Sequence, residues 1–243
     1  MSYNIYSVPR ELTSPKVAKA LHAATGFDVY TDNIERPGGW MGFASPYNWN
    51  TFVHARDNNE DYIYVDGAYF GRRVFYRVTK NGLWHNGEGQ TDCRRLKKFY
   101  HKPKNWVKGK FIIICPQSGG YFERNGMDRK AWINKVKYRI RKHTDRRIIV
   151  KQKHDPKPLK AYLKNAWMVV SHTSNSALEA IMEGVPAIST GLCHASPLCT
   201  DGFANIENPY YPENRMEFAG VLSDNQFTLE EIRKGRFLMN MDL

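Results

Sequence analysis

Thr173, Ser174, Asn175 and Ser176 follow directly on the apolar run 166–171, and Glu179 stands about one helical turn further on. Hydroxyl and amide side chains at a strand-to-helix junction suit anion binding. The first N–H groups of a helix have no intrahelical acceptor and carry the positive end of the peptide dipoles. Small side chains let a phosphate reach those groups, and their hydroxyls add donors. Residues 171–176 therefore have the makings of a phosphate cradle, with His172 as a further donor or charge, and without a Gly-x-Gly-x-x-Gly or Walker pattern. Glu179 has two readings. It can accept two hydrogen bonds from a ribose diol. It can instead close its own helix, because Ser176-Ala-Leu-Glu179 is a formal capping box. On a helix starting near Ser174, Ala177, Leu178, Ile181 and Met182 form an apolar stripe, and Glu179 and Glu183 fall on the polar face.

Such a junction needs a parallel sheet, whose ligands sit at the carboxyl ends of the strands. The second half of the chain has that rhythm. Residues 110–116, "KFIIICP", read as a strand buried on both faces. "QSGGYFERNG" reads as a loop, and Asp128 caps a helix running to about His143. Strands follow over 146–151, 166–171 and 185–190, with a short helix over 156–165. Strands alternating with helices predict right-handed crossovers. The first part reads as mixed α and β. Ser14 caps a helix with Pro15 at its first position, ending near Thr25. A strand is expected over 27–31, a Gly/Pro loop over "RPGGWMGFASP", a helix over 48–58, and a strand ending at Asp66 and Gly67. "RVFYRVTKNGLW" alternates and contains an Asn81-Gly82 turn signal. In the tail, Thr228, Glu231 and Gly235 give a complete short helix signature. The expected organisation is an acceptor-side lobe over 1–106, a second lobe over 107–220 and a helical tail over 221–243, with the basic stretch 93–110 as linker.

Composition narrows the class. The 243 residues are 42% hydrophobic and 13% aromatic, which excludes a disordered chain. No apolar run approaches the ~20 residues that span a bilayer. The opening "MSYNIYSVPRELTSPK" lacks the apolar core of a secretory signal. The expectation is a soluble, cytoplasmic protein without membrane contact. Cys93, Cys115, Cys193 and Cys199 show no C-x-x-C pair or zinc spacing and read as buried or incidental thiols. The net charge of +12 attracts polyanions: nucleic acid, nucleotide phosphates or an acidic glycan. Much of it lies in residues 93–110 and 129–147. These are either solvated surface or a phosphate-tracking surface with Phe99, Tyr100 and Trp106 interleaved for stacking.

The segment "KNAWMVVSHTSNSALEAIMEGVPAIS" resembles the donor-nucleotide region of GT-B type glycosyltransferases. "IENPYYPENRMEFAGVLSDNQFTLEEIRKG" and "YVDGAYFGRRVFYRVTKNGLW" resemble segments of small glycosyltransferase-like proteins encoded by bacteriophages. The resemblance covers about residues 64–235. It implies an α/β fold of two Rossmann-like lobes, the N-terminal one reduced, with a parallel sheet in the C-terminal one. It implies a nucleotide-sugar donor, read as a UDP-sugar, and, as acceptor, a hydroxylated or hydroxymethylated pyrimidine in phage DNA inside an infected bacterial host. A surface glycan or small acceptor, and a non-catalytic nucleotide- or DNA-binding module, are the alternatives. Carried over by position, Ser174, Asn175 and Ser176 would meet the diphosphate, and Glu179 would hold the ribose. Ser118, Gly119 and Gly120 can bring backbone N–H groups to the same phosphates, or form an ordinary turn. Arg124, Lys151 and Lys153 can neutralise the leaving diphosphate, so that no metal is required.

Glycosyl transfer also needs a base for the acceptor hydroxyl's proton. Asp66, at the end of an apolar strand, is the first candidate for that role and also a natural turn aspartate. His85, with Glu88, stands in reserve.

Overall fold

The computed structural model describes residues 2–241. They divide into two compact units, Met1–Phe99 with Ala219–Leu243, and Tyr100–Phe218. In chain order the elements are β1 (Tyr3–Tyr6), α1 (Ser14–Thr25), β2 (Val29–Tyr30), β3 (Gly39–Phe43), α2 (Trp49–Asp57), β4 (Tyr62–Gly67), β5 (Phe75–Lys80), β6 (Phe111–Cys115), α3 (Gly119–Arg124), α4 (Arg129–Arg141), β7 (Arg147–Val150), α5 (Leu159–Leu163), β8 (Ala166–Ser171), α6 (Ser176–Met182), β9 (Ala187–Ser189), α7 (Arg215–Asp224), β10 (Gln226–Thr228) and α8 (Leu229–Arg233). The fold is α/β with parallel pairing in both sheets.

The first unit is built on a six-stranded sheet in the order β10-β5-β4-β3-β1-β2. The pairs among β2, β1, β3 and β4 are parallel; β5 and β10 join antiparallel. Alternation along the strands sends Ile5, Met41, Ile63 and Val65 to one face, against Val17 and Leu21 of α1 and Ile232 of α8. Tyr6, Trp40, Tyr62 and Tyr64 go to the other, against Phe52 of α2. The expected tail is thus part of this unit: β10 pairs with β5, and α8 packs on α1. Its capping box forms, with Thr228 accepting from the Glu231 N–H at 3.2 Å and Glu231 accepting from the Thr228 N–H at 2.8 Å.

Three local expectations change here. Thr13, not Ser14, is the N-cap of α1; Ser14 lies inside the helix, and its hydroxyl accepts from the Val8 N–H at 2.9 Å. The strand expected over 27–31 shrinks to the two residues of β2. The stretch around Trp40, expected as a loop, is the buried strand β3. Its glycines are there for close packing, not for a turn. A Cβ on Gly39 would stand 2.4 Å from the Tyr3 ring and 2.8 Å from the Asp61 carbonyl, and one on Gly42 2.9 Å from the Tyr6 carbonyl.

The second unit carries a four-stranded, all-parallel sheet in the order β7-β6-β8-β9. Ile112, Ile113, Ile114, Met168, Val169 and Val170 are fully buried, as expected of strands covered on both faces. Asp128 caps α4, accepting from the Ala131 N–H at 2.5 Å. The expected loop 117–126 contains α3, capped by Ser118.

The basic stretch is not a free linker. Leu96 is fully buried in the first unit, and Arg95 makes a two-pronged ion pair with Glu231 at 2.7 and 3.0 Å. Further on, the Lys104 and Val107 N–H groups bond to the Met182 and Gly184 carbonyls. The aromatics expected to stack on bases are engaged within the protein. Phe99 packs on Phe70 and Phe75, Tyr100 donates to Glu183, and Trp106 lies against Tyr211 and under the Arg215 guanidinium.

Gly39→Ala should lower folding stability by about 1–3 kcal/mol through overpacking. Gly67→Ala, whose Cβ would meet nothing within 4 Å, should stay within about 0.5 kcal/mol. Chemical denaturation of both variants checks this; equal effects would refute the close-packing account of β3.

Candidate donor site at the carboxyl edge of the second sheet

Parallel pairing puts the carboxyl ends of β6, β7, β8 and β9 on one edge. The loops after β6 and β8 meet there through side chains. The Gln117 amide donates to the Thr173 hydroxyl, which donates to the Tyr121 hydroxyl at 2.9 Å. Arg129 ties in the loops after β6 and β7, donating to the Gln117 carbonyl at 3.1 Å and to the Gln152 side chain. The Trp132 indole donates to the Thr190 hydroxyl at 3.1 Å, and that hydroxyl lies 2.9 Å from His172 Nδ1. Thr173 belongs to the cradle expected from the sequence, whereas Gln117, Tyr121 and Thr190 were not named as binding residues. Their signal is weak: Gln117 follows a predicted strand and Thr190 ends one, while Tyr121 lies within the expected loop 117–126.

His172 is half-buried, with its ring stacked on Phe122 at 6.1 Å and 18°. Burial lowers its pKa and so disfavours the charged ring. His172 thus offers a hydrogen-bonding group rather than a charge.

The start of α6 differs from the expectation. Ser174 does the capping: its hydroxyl accepts from the Ser176 N–H at 3.2 Å and its carbonyl from the Ala177 N–H at 3.2 Å. The N-cap is Asn175 and Ser176 is the first helical residue, so the Ser176–Glu179 capping box does not form. Two N–H groups expected to meet a phosphate are therefore occupied. The start of α3 is more open. Ser118 accepts from the Tyr121 N–H at 3.3 Å. Gly119 and Gly120 follow as the first two helical residues, whose N–H groups have no acceptor within a helix. A Cβ on Gly119 would meet nothing within 4 Å.

Glu179 is half-buried and oriented by α6 towards the end of β6, where its charge helps raise both Tyr100 and the Cys115 thiol. That thiol is pushed up to about 12, first by burial, with the Ser176 hydrogen bond opposing. Glu183 lies on no solvent face. It is 4% exposed, and its carboxylate pairs with Lys104 at 2.5 Å and Lys160 at 2.9 Å. Burial pushes its pKa up, but the two lysine hydrogen bonds outweigh this and hold it below the usual range.

The three expected cations part company. Lys151 is 8% exposed and tied to the Gln152 carbonyl at 2.6 Å and, more loosely, to Asp155 at 3.8 Å, so it cannot swing out to a ligand. Lys153 is exposed, as is Arg124 in the last turn of α3. Among the described residues no group of three or more His, Cys, Asp or Glu stands together as metal ligands. The four cysteines are free thiols, Cys115 and Cys193 buried.

The two candidate bases lie in the first unit. Asp66 has both oxygens engaged: Oδ2 with Arg77 at 2.5 Å and Oδ1 with the Gly67 N–H at 2.6 Å. This is the arrangement of a structural turn aspartate. Burial lowers the pKa of His85, against the opposing Glu88 charge, and so disfavours its charged form. Its Nδ1 accepts from the Gly87 N–H at 3.1 Å, which occupies its lone pair.

The structural comparisons bear on the fold. The chain is similar to the KpsC beta Kdo 2,4 transferase of Thermosulfurimonas dismutans, with a TM-score of 0.53 and 12% identity over 90% of this chain and 89% of that one. It is also similar to the KpsC beta Kdo 2,7 transferase of the same organism, with a TM-score of 0.56 and 11% identity over 99% of this chain and 100% of that one. The fold is glycosyltransferase-like, of the GT-B type. No protein-family model matches the chain. No curated protein sequence matches it. Among the described residues no helix is long and apolar enough to cross a membrane.

The imidazole of His172 binds a proton less readily folded than unfolded. Its contribution to stability is therefore complete above the unfolded value of about pH 6.5 and falls away below it. His172→Asn should make the stability decline between about pH 7 and about pH 5 shallower than in the parent, as read from denaturant midpoints. An unchanged decline would contradict the buried, neutral ring.

Proposed function

We propose that the protein is a glycosyltransferase that moves a sugar from a nucleotide-activated donor, read as a UDP-sugar, to a hydroxyl acceptor. The observation that carries the reading is one edge of a parallel sheet, in a glycosyltransferase-like fold, bearing an open Gly119-Gly120 helix start, a hydroxyl-rich loop and a half-buried carboxylate. In this reading the diphosphate lies against Gly119 and Gly120, with hydroxyls from Ser118, Ser174 and Ser176, the Asn175 amide and the His172 imidazole as further donors. Glu179 accepts from the ribose diol. Arg124 and Lys153 supply exposed positive charge, and Lys151 a fixed charge behind the loop. The bond from the anomeric carbon to the diphosphate oxygen breaks, and the acceptor oxygen takes its place. The leaving group's charge is stabilised where donors are already oriented, which is where preorganisation is worth most. The acceptor's proton goes to a base; Asp66 and His85 serve only if their present partners release them.

For the acceptor, the charge of +12 supports a polyanion, and we read it as a hydroxylated or hydroxymethylated pyrimidine in DNA. A base inside a duplex would have to be flipped out to react. The second reading is a glycan hydroxyl, favoured by the fact that both structural neighbours are named as Kdo transferases.

The test is incubation with hydroxymethylated DNA, and separately with acidic oligosaccharides, across a panel of nucleotide-sugars, followed by mass analysis of the nucleosides and glycans. We expect one added sugar on the DNA. Glu179→Ala should cost about 10- to 100-fold in kcat/KM, mostly through KM for the donor. A mass gain on glycans alone selects the second reading. No gain on any acceptor, with no donor binding, ends the enzyme reading.

A further inference from the structure

The longest helix of the second unit, α4, buries a stripe of Trp132, Val136 and Ile140. Its other faces expose Lys130, Lys135, Lys137, Arg139 and Arg141, with Lys142 just beyond. No carboxylate lies within the helix, and the ion pairs of this unit involve Lys104, Arg146, Lys151 and Lys160 instead. So these six cations form no ion pair among the described residues. The arrangement works against the helix. Like charges four apart, at Lys135 and Arg139 and at Lys137 and Arg141, repel by about 0.2–0.5 kcal/mol each. Arg129 and Lys130 add positive charge at the end where the helix dipole is already positive. Only Asp128, the cap, opposes it.

We infer that the exposed face of α4 is a docking surface for the phosphate backbone of duplex DNA. Charge density chooses the occupant. The thirteen residues of α4 span about 20 Å at 1.5 Å each, and a duplex presents one charge per about 1.7 Å of axis. A carboxylated glycan carries at most one charge per sugar unit, a lower linear charge density than that of the duplex. A lipid surface calls for apolar side chains to insert. The one large apolar side chain exposed on α4 is Tyr138, and the Lys142 ammonium sits over its ring at 4.6 Å. The location fits as well. The first turn of α4 stands beside the loop after β6, where Arg129 bonds to the Gln117 carbonyl. A duplex held along α4 is therefore led to the carboxyl edge. Its purpose rests on the DNA-acceptor reading above; the binding itself does not.

The test uses the full chain, a fluorescein-labelled unmodified duplex of about 20 base pairs and anisotropy titrations at several salt concentrations. Lys135→Gln, Lys137→Gln and Lys142→Gln together should weaken binding about 10-fold or more near 50 mM salt. They should also make the log–log salt slope shallower by about 2–3, since each lost phosphate contact removes about 0.9. Glutamine keeps helix propensity close to that of lysine, and circular dichroism checks the fold. The control triple Lys16→Gln, Lys19→Gln and Lys102→Gln makes the same charge change at exposed sites elsewhere and should shift binding by no more than about 2- to 3-fold. Equal losses in both triples overturn the proposal, as does displacement of the duplex by alginate at equal charge. Transfer to a free hydroxymethylated nucleoside, measured in parallel, should be unchanged in the α4 triple. DNA binding that depends on α4 without any transfer activity would sink the enzyme reading and leave the docking surface standing. Transfer to the nucleoside with no α4-dependent DNA binding would do the reverse.

Discussion

A carboxylate without access to water must have compensating charge, and in the second unit that requirement organises the polar edge. Glu183 sits at the C-terminal end of α6, where the helix dipole is negative and an acid is disfavoured. It is stable there because Lys104 arrives from the connecting stretch and Lys160 from α5, while Tyr100 adds a hydrogen bond at 3.3 Å. The same end is held from a second direction. Arg215 donates to the Ile181 carbonyl at 2.8 Å and to the Lys104 carbonyl at 2.6 Å. Seven residues are too few for a helix to be stable alone. Fixing one end of α6 through buried charge leaves its other end at the carboxyl edge, in a defined position relative to the loops after β6 and β9.

This anchoring changes the meaning of the basic stretch. Residues 93–110 look like a surface for polyanions when only charge is counted, yet their side chains largely serve the interior. Gly184 makes the point sterically: a Cβ there would stand 2.1 Å from the Asn105 carbonyl, so the chain passes directly over the end of α6. Such a stretch has little freedom to reshape itself around nucleic acid. The charge on α4 is different in kind: Arg141 reaches the Thr144 and Arg146 carbonyls and Arg139 lies over Phe203, but none of these cations forms an ion pair among the described residues, and their mutual repulsion is left unrelieved.

Much of the fold was legible because the strands of the second sheet are buried on both faces and announce themselves as continuous apolar runs. Capping residues were equally readable where the helix start is local, as at Asp128 and Thr228. Local patterns failed where a residue's role is set by a distant neighbour. Gly39 and Gly42 look like turn residues until Tyr3 and the β1 backbone are seen packed against them. Ser118 caps a helix that two glycines conceal. Glu183 falls on the polar face of a helical wheel, and only Lys104, 79 residues away in sequence, explains its burial. The candidate site shows the same division. Ser174, Asn175, Ser176 and Glu179 stand out as candidates from their position after a strand, whereas Gln117, Tyr121 and Thr190 draw notice only through the hydrogen bonds that join separate strand ends.

The structural states of Asp66 and His85 bear on how such an edge could act. Both Asp66 oxygens already accept hydrogen bonds, from Arg77 and from the Gly67 N–H, and an acceptor hydroxyl would have to compete with them. A neutral imidazole whose Nδ1 already accepts a proton donor has no lone pair left to offer. In the present arrangement each group already holds a hydrogen bond at an atom a base would use. On the proposed reading, a departing diphosphate would ask only for oriented donors and a fixed positive charge, which Gly119, Gly120, the hydroxyl loop and the buried Lys151 would supply. On that same reading the fold first serves the leaving group, and activation of the acceptor awaits movement of a partner.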